Sequence, residues 1–480
     1  MGTARAEAAA DTATQLPRIL PTAPGPRGTE VGRHMLAVAR DPLSALSELV
    51  SKYGDVVRFD VAGHPVFIAR GPEQVRHVFV TNQDNYRKAS QYELLRPVLG
   101  KGLLTSGGSL WRRQRNLVQP MFAKRHLTPF ANQMTAAAES VLDAQLRTRN
   151  DGDQIDAADL MSHLTLDVVG RALFGADLTG NVADTIGNSL SEVLEAIGAV
   201  GRSPITAAIA RAPKMTMESA FRTRTRQWTK ATTATEQMDA IINGLVDERI
   251  ATPSGGGSDL LTLLMEARDP DTGEAMSRSQ IRDEIATFLL AGHETTANAL
   301  AWMWSLLSRH PEARERLIEE VDSVLAGRIP TADDVDTLPW TNAVIQESMR
   351  LYPPAWILER EAIAKDELGG FHVPPHSTIV IPPYLVHRNP NVWSNPEGFD
   401  PRRFMPGVDP DRPRHAYLPF GAGRRVCVGQ GFALMEATLL AAMIAQRFTL
   451  DLVPGLLPGT DPSVTLRPHG GLPMVFRPRG

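Results

Sequence analysis

One stretch of the chain, residues 278–309, constrains the fold most, because it is apolar on nearly every side when it is drawn as a helix. Ser277 and Gln280 are spaced as a capping box at its start, and Pro311 disfavours continuation past its end. A membrane span is the alternative, but Glu294 would cost about 2.5 kcal/mol or more near the middle of a bilayer. We therefore predict a helix that crosses the interior of a large, helix-rich protein.

The rest of the chain has helical patterns in its middle and strand-like patterns towards both ends. Helical periodicity dominates from about Pro72 to Gly370, whereas "DVVRFDVAGHPVFIARG" alternates like two strands joined by a turn at Ala62 and Gly63. Alternation with turn residues returns after Gly370. The predicted fold class is α+β, mostly α, with small β-sheets.

We expect two parts of unequal size. Residues 1–20 are rich in Ala and Thr and lack the pattern of a packed element, which predicts a flexible N-terminal arm. The stretch "ATPSGGGSD" at residues 251–259 is linker-like but too short to divide the chain. Residues 21–480 are therefore expected to form a single domain.

Charge and cysteine content exclude several classes of protein. With 50 Lys and Arg against 54 Asp and Glu the net charge is -4, and no long basic run is present, which disfavours nucleic-acid binding. A lone cysteine excludes a disulfide framework and a zinc site built from several cysteines. The N-terminal residues lack the apolar core of a signal peptide. We expect a cytoplasmic protein without a membrane span.

The lone cysteine, Cys427, lies in "PFGAGRRVCVGQGFALMEA", between a glycine-rich approach and a helix-like run. A helix N-terminus and nearby backbone N–H groups favour a thiolate, and Gly421, Gly423 and Gly429 permit close backbone approaches. A thiolate with open space opposite suits a soft metal or a haem iron. The alternative is a buried structural cysteine, the common state of a free cysteine.

The residues around the cysteine favour haem. The string Phe420-x-x-Gly423-x-Arg425-x-Cys427-x-Gly429 resembles the haem-binding loop of the cytochrome P450 family, in which the cysteine is the axial thiolate ligand of the iron. The resemblance covers roughly residues 20–480 and implies haem b, Cys427 as metal ligand and a triangular, helix-rich domain. The loop residues that it implies as haem contacts are Phe420, Gly421, Arg425, Cys427 and Gly429.

The predicted central helix contains Ala291-Gly292-His293-Glu294-Thr295-Thr296, which resembles the oxygen-activation motif of the same family. The resemblance implies that Glu294 and Thr295 are catalytic and relay protons. It also implies that Ala291 and Gly292 lie beside the haem, where Gly292 leaves room for a flat cofactor. A threonine in a helix usually donates back to the carbonyl four residues earlier, which is the alternative for Thr295. His293 fills a variable position, and we expect no catalytic role for it.

Two further sets of residues resemble family motifs. Glu347 and Arg350 share one helix face, and with Arg403 they resemble the buried Glu-x-x-Arg triad, which implies a structural role behind the haem. Haem propionates need cationic or hydrogen-bonding partners. The residues whose positions match such partners are Trp111, Arg115, Arg360 and Arg425.

The resemblance implies a monooxygenase that inserts one atom of O2 into an apolar small molecule. No fused flavin or ferredoxin domain fits into the chain, so we expect electrons from a separate ferredoxin and its NAD(P)H-dependent reductase, and a monomeric enzyme. A peroxide-driven enzyme or isomerase with the same haem ligation is one alternative, and the Glu294–Thr295 pair disfavours it. A non-catalytic haem sensor is the other.

The substrate pocket is expected to be apolar, which suits a terpenoid, fatty acyl or polyketide-like compound of secondary metabolism. The 88–104 loop should contribute to it. The other predicted pocket residues are Phe288, Leu289, Ala355, Trp356 and Ile357.

A basic surface is predicted beside the cysteine. If Trp111 and Arg115 point inward to haem, Arg112 and Arg113 on the same helix must partly face outward, and Arg424 should join them. Such a patch would attract an acidic ferredoxin, although three ordinary solvated arginines are the alternative.

Overall fold

The computed structural model describes residues 20–175, 181–201, 225–251 and 259–479. The predicted N-terminal arm, except residue 20, lies outside the described residues. So does the linker-like stretch, except for its two end residues.

Helices account for most of the described chain. In chain order they are α1 Thr29–Arg40, α2 Pro42–Tyr53, α3 Pro72–Arg76, α4 Arg96–Leu99, α5 Gly108–Val118, α6 Lys124–Thr148, α7 Ala157–Phe174, α8 Asn181–Gly201, α9 Thr225–Ala251, α10 Leu260–Glu266, α11 Arg278–Arg309, α12 Pro311–Leu325, α13 Pro339–Leu351, α14 Pro383–Val386 and α15 Gln430–Arg447.

The strands form small sheets. In chain order they are β1 Val56–Val61, β2 His64–Ala69, β3 Tyr86–Lys88, β4 Gln154–Asp156, β5 Leu358–Ala362, β6 Asp366–Leu368, β7 Phe371–Val373, β8 Thr378–Ile381, β9 Phe448–Leu452, β10 Thr460–Pro462, β11 Leu466–Pro468 and β12 Pro473–Pro478. One sheet has the order β1-β2-β8-β5-β3, in which only the β2–β8 pair is parallel. The others are β4-β12-β9 and the hairpins β6-β7 and β10-β11.

The central helix predicted from the sequence is α11. Its capping box is confirmed: the Ser277 hydroxyl accepts from the N–H of Gln280, and the Gln280 side chain accepts from the N–H of Ser277. Most of its length is buried, and it packs against α7, α13 and α15. Among the helices of the described ranges, none has the length and apolar character needed to cross a lipid bilayer.

The predicted hairpin around Ala62 and Gly63 is confirmed as β1 and β2, with Val61 opposite His64. Helices dominate the described residues between Pro72 and Gly370, as predicted, but β3 to β6 also lie there. These strands are three to five residues long. Segments this short carry too little alternation to be recognised without their partner strands.

Candidate active site

A large internal cavity lies between α11 and the loop that contains Cys427. About 400 Å³ of it is open to the centres of water-sized molecules, and its walls are mainly apolar. The structure brings most of the predicted site residues together in its lining: Trp111, Arg115, Phe288, Ala291, Gly292, Glu294, Thr295, Ala355, Ile357, Arg360, Phe420, Gly421, Arg425, Cys427 and Gly429.

The loop that presents Cys427 is closed by its own backbone. The N–H of Cys427 donates to the carbonyl of Phe420 at 2.9 Å. Gly423 has φ of +69°, and a Cβ there would lie 1.7 Å from the carbonyl oxygen of Phe79. Glycine is therefore required at this position for two separate reasons, backbone conformation and close contact.

The environment of the Cys427 thiol combines opposing effects. Burial raises its pKa, while the N–H of Gly429 and the positive charge of Arg115 act in the opposite direction. The side chain has accessible surface, which belongs to the cavity that it lines. A metal ion placed opposite would meet one sulfur ligand with its remaining surroundings open.

Four cationic side chains line one end of the cavity, and we call them the cation cradle: Lys88, Arg115, Arg360 and Arg425. Their hydrogen bonds go mainly to backbone carbonyls. Lys88 donates to the carbonyl of Leu104, and Arg360 donates to that of Glu359. Arg115 donates to the carbonyl of Val426, and Arg425 donates to that of Ser106. Within the described ranges, no ion pair joins any of the four to a carboxylate.

The cation cradle is electrostatically uncompensated. Burial, reinforced by the charge of Arg360, lowers the pKa of Arg425 to about 10, and one terminal nitrogen of Arg425 is buried without a hydrogen-bond partner. The pKa of the Lys88 amine is also well below its usual range, first through burial and then through Arg425 and Arg360. Cations held in this way fit a ligand with two carboxylates, which is what haem presents through its propionates.

Sequence reasoning missed Lys88 as a member of the cradle. It ends the short strand β3, where no motif surrounds it, and only its contact with the 100–106 loop brings it to the cavity. Trp111, in contrast, lies where it was expected. The Arg425 guanidinium is 4.2 Å from the centre of the Trp111 ring.

On α11 the Thr295 hydroxyl donates to the carbonyl of Ala291 at 2.6 Å, which is the back-bonded arrangement that the sequence left open. His293 turns away from the cavity, with its ring nitrogen 2.8 Å from the Ser162 hydroxyl. A Cβ on Gly292 would lie 3.0 Å from Val169 of α7. The small residue therefore also permits close packing of α7 on α11.

Glu294 faces the cavity beside Thr295. Burial raises the pKa of its carboxyl, and a hydrogen bond with Thr465 and the charge of Arg467 partly oppose this. Thr465 and Val464, at the tip of the β10–β11 hairpin, also line the cavity. The sequence did not identify this hairpin as part of the site, since its contact with α11 spans more than 160 residues of chain.

Two of the predicted pocket residues do not line the cavity. Leu289 is fully buried within the main core, and Trp356 packs in another cluster, where its indole N–H donates to the carbonyl of Ser463. From the 88–104 loop, Tyr92, Leu95, Leu103 and Leu104 line the cavity. Wall residues that the sequence did not suggest are Val169, Ala172, Leu173, Leu260, Leu290 and Val464.

The structure also brings Glu347, Arg350 and Arg403 together behind the site. Glu347 and Arg350 are fully buried, and the Arg403 side chain approaches Glu347 at 3.5 Å.

A second buried carboxyl, Glu436 of α15, lines the cavity near Thr296 and was not anticipated. Both of its oxygens lack hydrogen-bond partners, and burial raises its pKa to about 8.

The predicted basic patch is smaller than expected. Arg113 is bound to Asp269 at 2.9 Å, and only 23% of its side chain is exposed, so it does not present a free charge. Arg424 is exposed but pairs with Asp84 at 2.6 Å. Arg112 is exposed.

Comparison with known proteins places this geometry in a family. The family model for Cytochrome P450 matches residues 23–471. The chain is a cytochrome P450. Its relatives include cytochrome P450 132 of Mycobacterium tuberculosis, 38% identical over 88% of this chain and 90% of the relative. Cyclooctatin synthase of Streptomyces melanosporofaciens is 36% identical over 95% of both chains.

A solved structure gives the same assignment for this P450. The crystal structure of the cytochrome P450DA heme domain matches with a TM-score of 0.84 and 28% identity, covering 96% of this chain and 98% of the other. The predicted fold class is thereby confirmed. The protein is a haem-dependent monooxygenase whose cofactor is haem b.

Proposed function

We propose that this P450 oxygenates a terpenoid substrate. The observation that carries the proposal is the wall of the cavity opposite Cys427, which is built from aliphatic and aromatic side chains of α7, α10 and α11 around the Glu294–Thr295 pair. Such a wall selects for shape and apolar surface, with few polar groups to fix a hydrophilic molecule.

Relatives with terpenoid names support this choice. Cyclooctatin synthase and cyclooctat-9-en-7-ol 5-monooxygenase of Streptomyces melanosporofaciens are 36% and 35% identical to this chain. Pentalenene oxygenase of Streptomyces avermitilis is 32% identical. The chain covers at least 95% of each of these proteins, so the matches extend over nearly their whole length.

In the proposed site Cys427 would ligate the haem iron, and the cation cradle and Trp111 would hold the propionates. Haem with a thiolate ligand supplies the activation of O2, in which one oxygen atom enters the substrate and the other leaves as water. Thr295 donates to Ala291 but retains lone pairs through which it can hold a water molecule in the cavity. Glu294, whose pKa is raised by burial, is the proposed proton donor to that position.

The substrate proposal is tested by ligand binding followed by turnover. Purified protein is titrated with cyclic terpene hydrocarbons and alcohols, fatty acids and macrolide polyketides, and the haem spectrum is recorded. We expect cyclic terpenoids to shift the spectrum at the lowest concentration and to yield oxygenated products with NAD(P)H and a redox partner. Tighter binding and turnover of a fatty acid or polyketide would contradict the proposal. Turnover driven by peroxide alone would favour the peroxygenase alternative.

We also propose that electrons come from an acidic ferredoxin and its NAD(P)H-dependent reductase, and that this ferredoxin docks near Arg112 and Arg424. Both side chains are exposed, and Arg424 lies three residues before Cys427. The test is the reduction rate at several salt concentrations for wild type and Arg112→Glu. Arg402→Glu, which alters an exposed arginine elsewhere, is the control.

The wild-type and control rates should fall as salt screens the encounter, because the Debye length shortens to about 3 Å at 1 M. Arg112→Glu should be slow at low salt and less sensitive to salt. Identical salt curves for all three proteins would place the docking surface elsewhere.

A further inference from the structure

The β10–β11 hairpin carries an ion pair next to the proposed proton donor. Asp461 and Arg467 are directly opposite each other in the strand register, and the Arg467 Nε lies 3.0 Å from the Asp461 carboxylate. Their side chains are 18% and 25% exposed. Both side chains are therefore partly accessible to solvent, whereas Glu294 lines the cavity.

The hairpin is fixed to the face of α11 that carries Glu294. Glu294, Asn298 and Trp302 are spaced four residues apart and so lie on one face of the helix. The Asn298 amide donates to the Thr465 hydroxyl at 3.1 Å, and the Trp302 indole donates to the Leu466 carbonyl at 3.0 Å. These two bonds place the strand that bears Arg467 along this face.

We propose that the Asp461–Arg467 pair sets the charge state of Glu294 and thereby controls proton delivery to the cavity. The proposal deepens the proposed function, because it rests on Glu294 as the proton donor. Neither hairpin residue touches the reacting atoms, so both are positioning residues. Each acts through its charge on a carboxyl that is shielded from water, where charges interact more strongly than at the surface.

The two members of the pair have opposite effects. Arg467 favours the carboxylate form of Glu294, whereas Asp461 favours the protonated form, and Thr465 stabilises the carboxylate through a hydrogen bond. Other titratable groups that line the same cavity are Glu436 and the cation cradle. His293 points away, towards α7. Removing one member of the pair while keeping these groups unchanged should therefore shift the titration of Glu294 in a direction set by the charge removed.

The experiment uses the substrate-free holoenzyme labelled with 13C-glutamate. The infrared band of the Glu294 carboxylic acid is identified as the band lost in Glu294→Gln and is followed against pH. We expect the midpoint to rise by about 0.5 to 1 pH unit in Arg467→Gln and to fall by a similar amount in Asp461→Asn. Arg467→Lys should stay near wild type. Arg477→Gln, which removes an exposed arginine from β12, is the control for net charge.

A purely structural role of the hairpin would not produce shifts of opposite sign. Midpoints that stay unchanged, or that move in the same direction in Arg467→Gln and Asp461→Asn, would overturn the proposal. Haem content and thermal midpoints identify any variant that fails to fold. Coupling of NAD(P)H to product is measured separately in Glu294→Gln. Wild-type coupling there would overturn Glu294 as proton donor, whereas absent infrared shifts overturn only its control by the hairpin.

Discussion

Arg350 donates two hydrogen bonds to Glu347, from Nε at 2.7 Å and from Nη2 at 2.8 Å, at a place where neither side chain has exposed surface. Arg350 also donates to the carbonyls of His387, Pro396 and Gly398. The pair therefore joins α13 to the irregular chain that leads towards the cysteine loop. Its role follows from these contacts: it holds together segments with little secondary structure of their own.

Glu347→Gln should destabilise the protein before any effect on chemistry. It leaves the buried Arg350 charge without a counter-charge, at a cost of about 3 kcal/mol or more. We expect a low ratio of haem to protein and an unfolding midpoint at a lower urea concentration than in the wild type. Glu397→Gln, which alters an exposed partner of Arg388 nearby, is the control. Well-folded, haem-loaded but inactive Glu347→Gln would instead indicate a catalytic carboxylate.

Cys427 is the only thiol in the sequence, so its replacement tests iron ligation directly. The reduced, carbon-monoxide-bound wild type should show the strongly red-shifted Soret band of a thiolate complex. Cys427→Ala should lose this band while the cation cradle and apolar walls still retain some haem. A red-shifted band that persists in Cys427→Ala would refute the assignment.

Thr295→Ala should bind haem and substrate but divert reducing equivalents into peroxide, because the hydroxyl that holds the water molecule in the cavity is gone. Proton delivery by a positioned group contributes about 100-fold or more to rate, so product per NAD(P)H should fall several-fold. Thr295→Ser keeps the hydroxyl and should keep most of the coupling. Equal coupling in wild type and Thr295→Ala would show that the hydroxyl only back-bonds to Ala291.

Glu436 should make stability depend on pH. Burial raises its folded-state pKa to about 8 from an ordinary value of 4.5, so the folded state binds this proton more tightly than the unfolded state does. Its contribution is fully present below pH 4.5 and is lost as pH rises to about 8, by at most about 1.4 kcal/mol per pH unit.

Glu436→Gln has no such proton to lose. Its unfolding midpoint in urea should therefore increase relative to wild type between pH 5 and pH 8. We would measure both proteins at three pH values, with Glu319→Gln on the surface of α12 as control. A difference that is constant with pH would mean that Glu436 is ionised throughout, compensated by groups that the structure does not place beside it.

Features set by neighbouring residues were predictable from the sequence. The capping box of α11 needs only Ser277 and Gln280, which are close along the chain. The turn of the cysteine loop likewise depends on residues within the loop itself. Trp356 shows where adjacency misleads. Ala355 and Ile357 line the cavity, whereas Trp356 between them is buried in a separate cluster.

Features set by distant contacts were not predictable. Arg113 has the same local pattern as Arg112, and only the packing of Asp269 against α5 distinguishes them. Lys88 and the β10–β11 hairpin reach the cavity through tertiary contacts that leave no periodic pattern in the sequence. The haem motifs were recognised because they specify chemistry, whereas the walls that select a substrate are assembled from separate helices.

The cation cradle has a consequence for how the holoenzyme is assembled. Lys88, Arg360 and Arg425 are brought together by strands and loops that are far apart in sequence, and their charges disfavour one another until a dianion neutralises them. The chain segments that carry them reach their lowest free energy only when the cofactor arrives, and binding then stabilises the whole fold by mass action. The fraction of chains that are fully folded should therefore rise with the supply of haem.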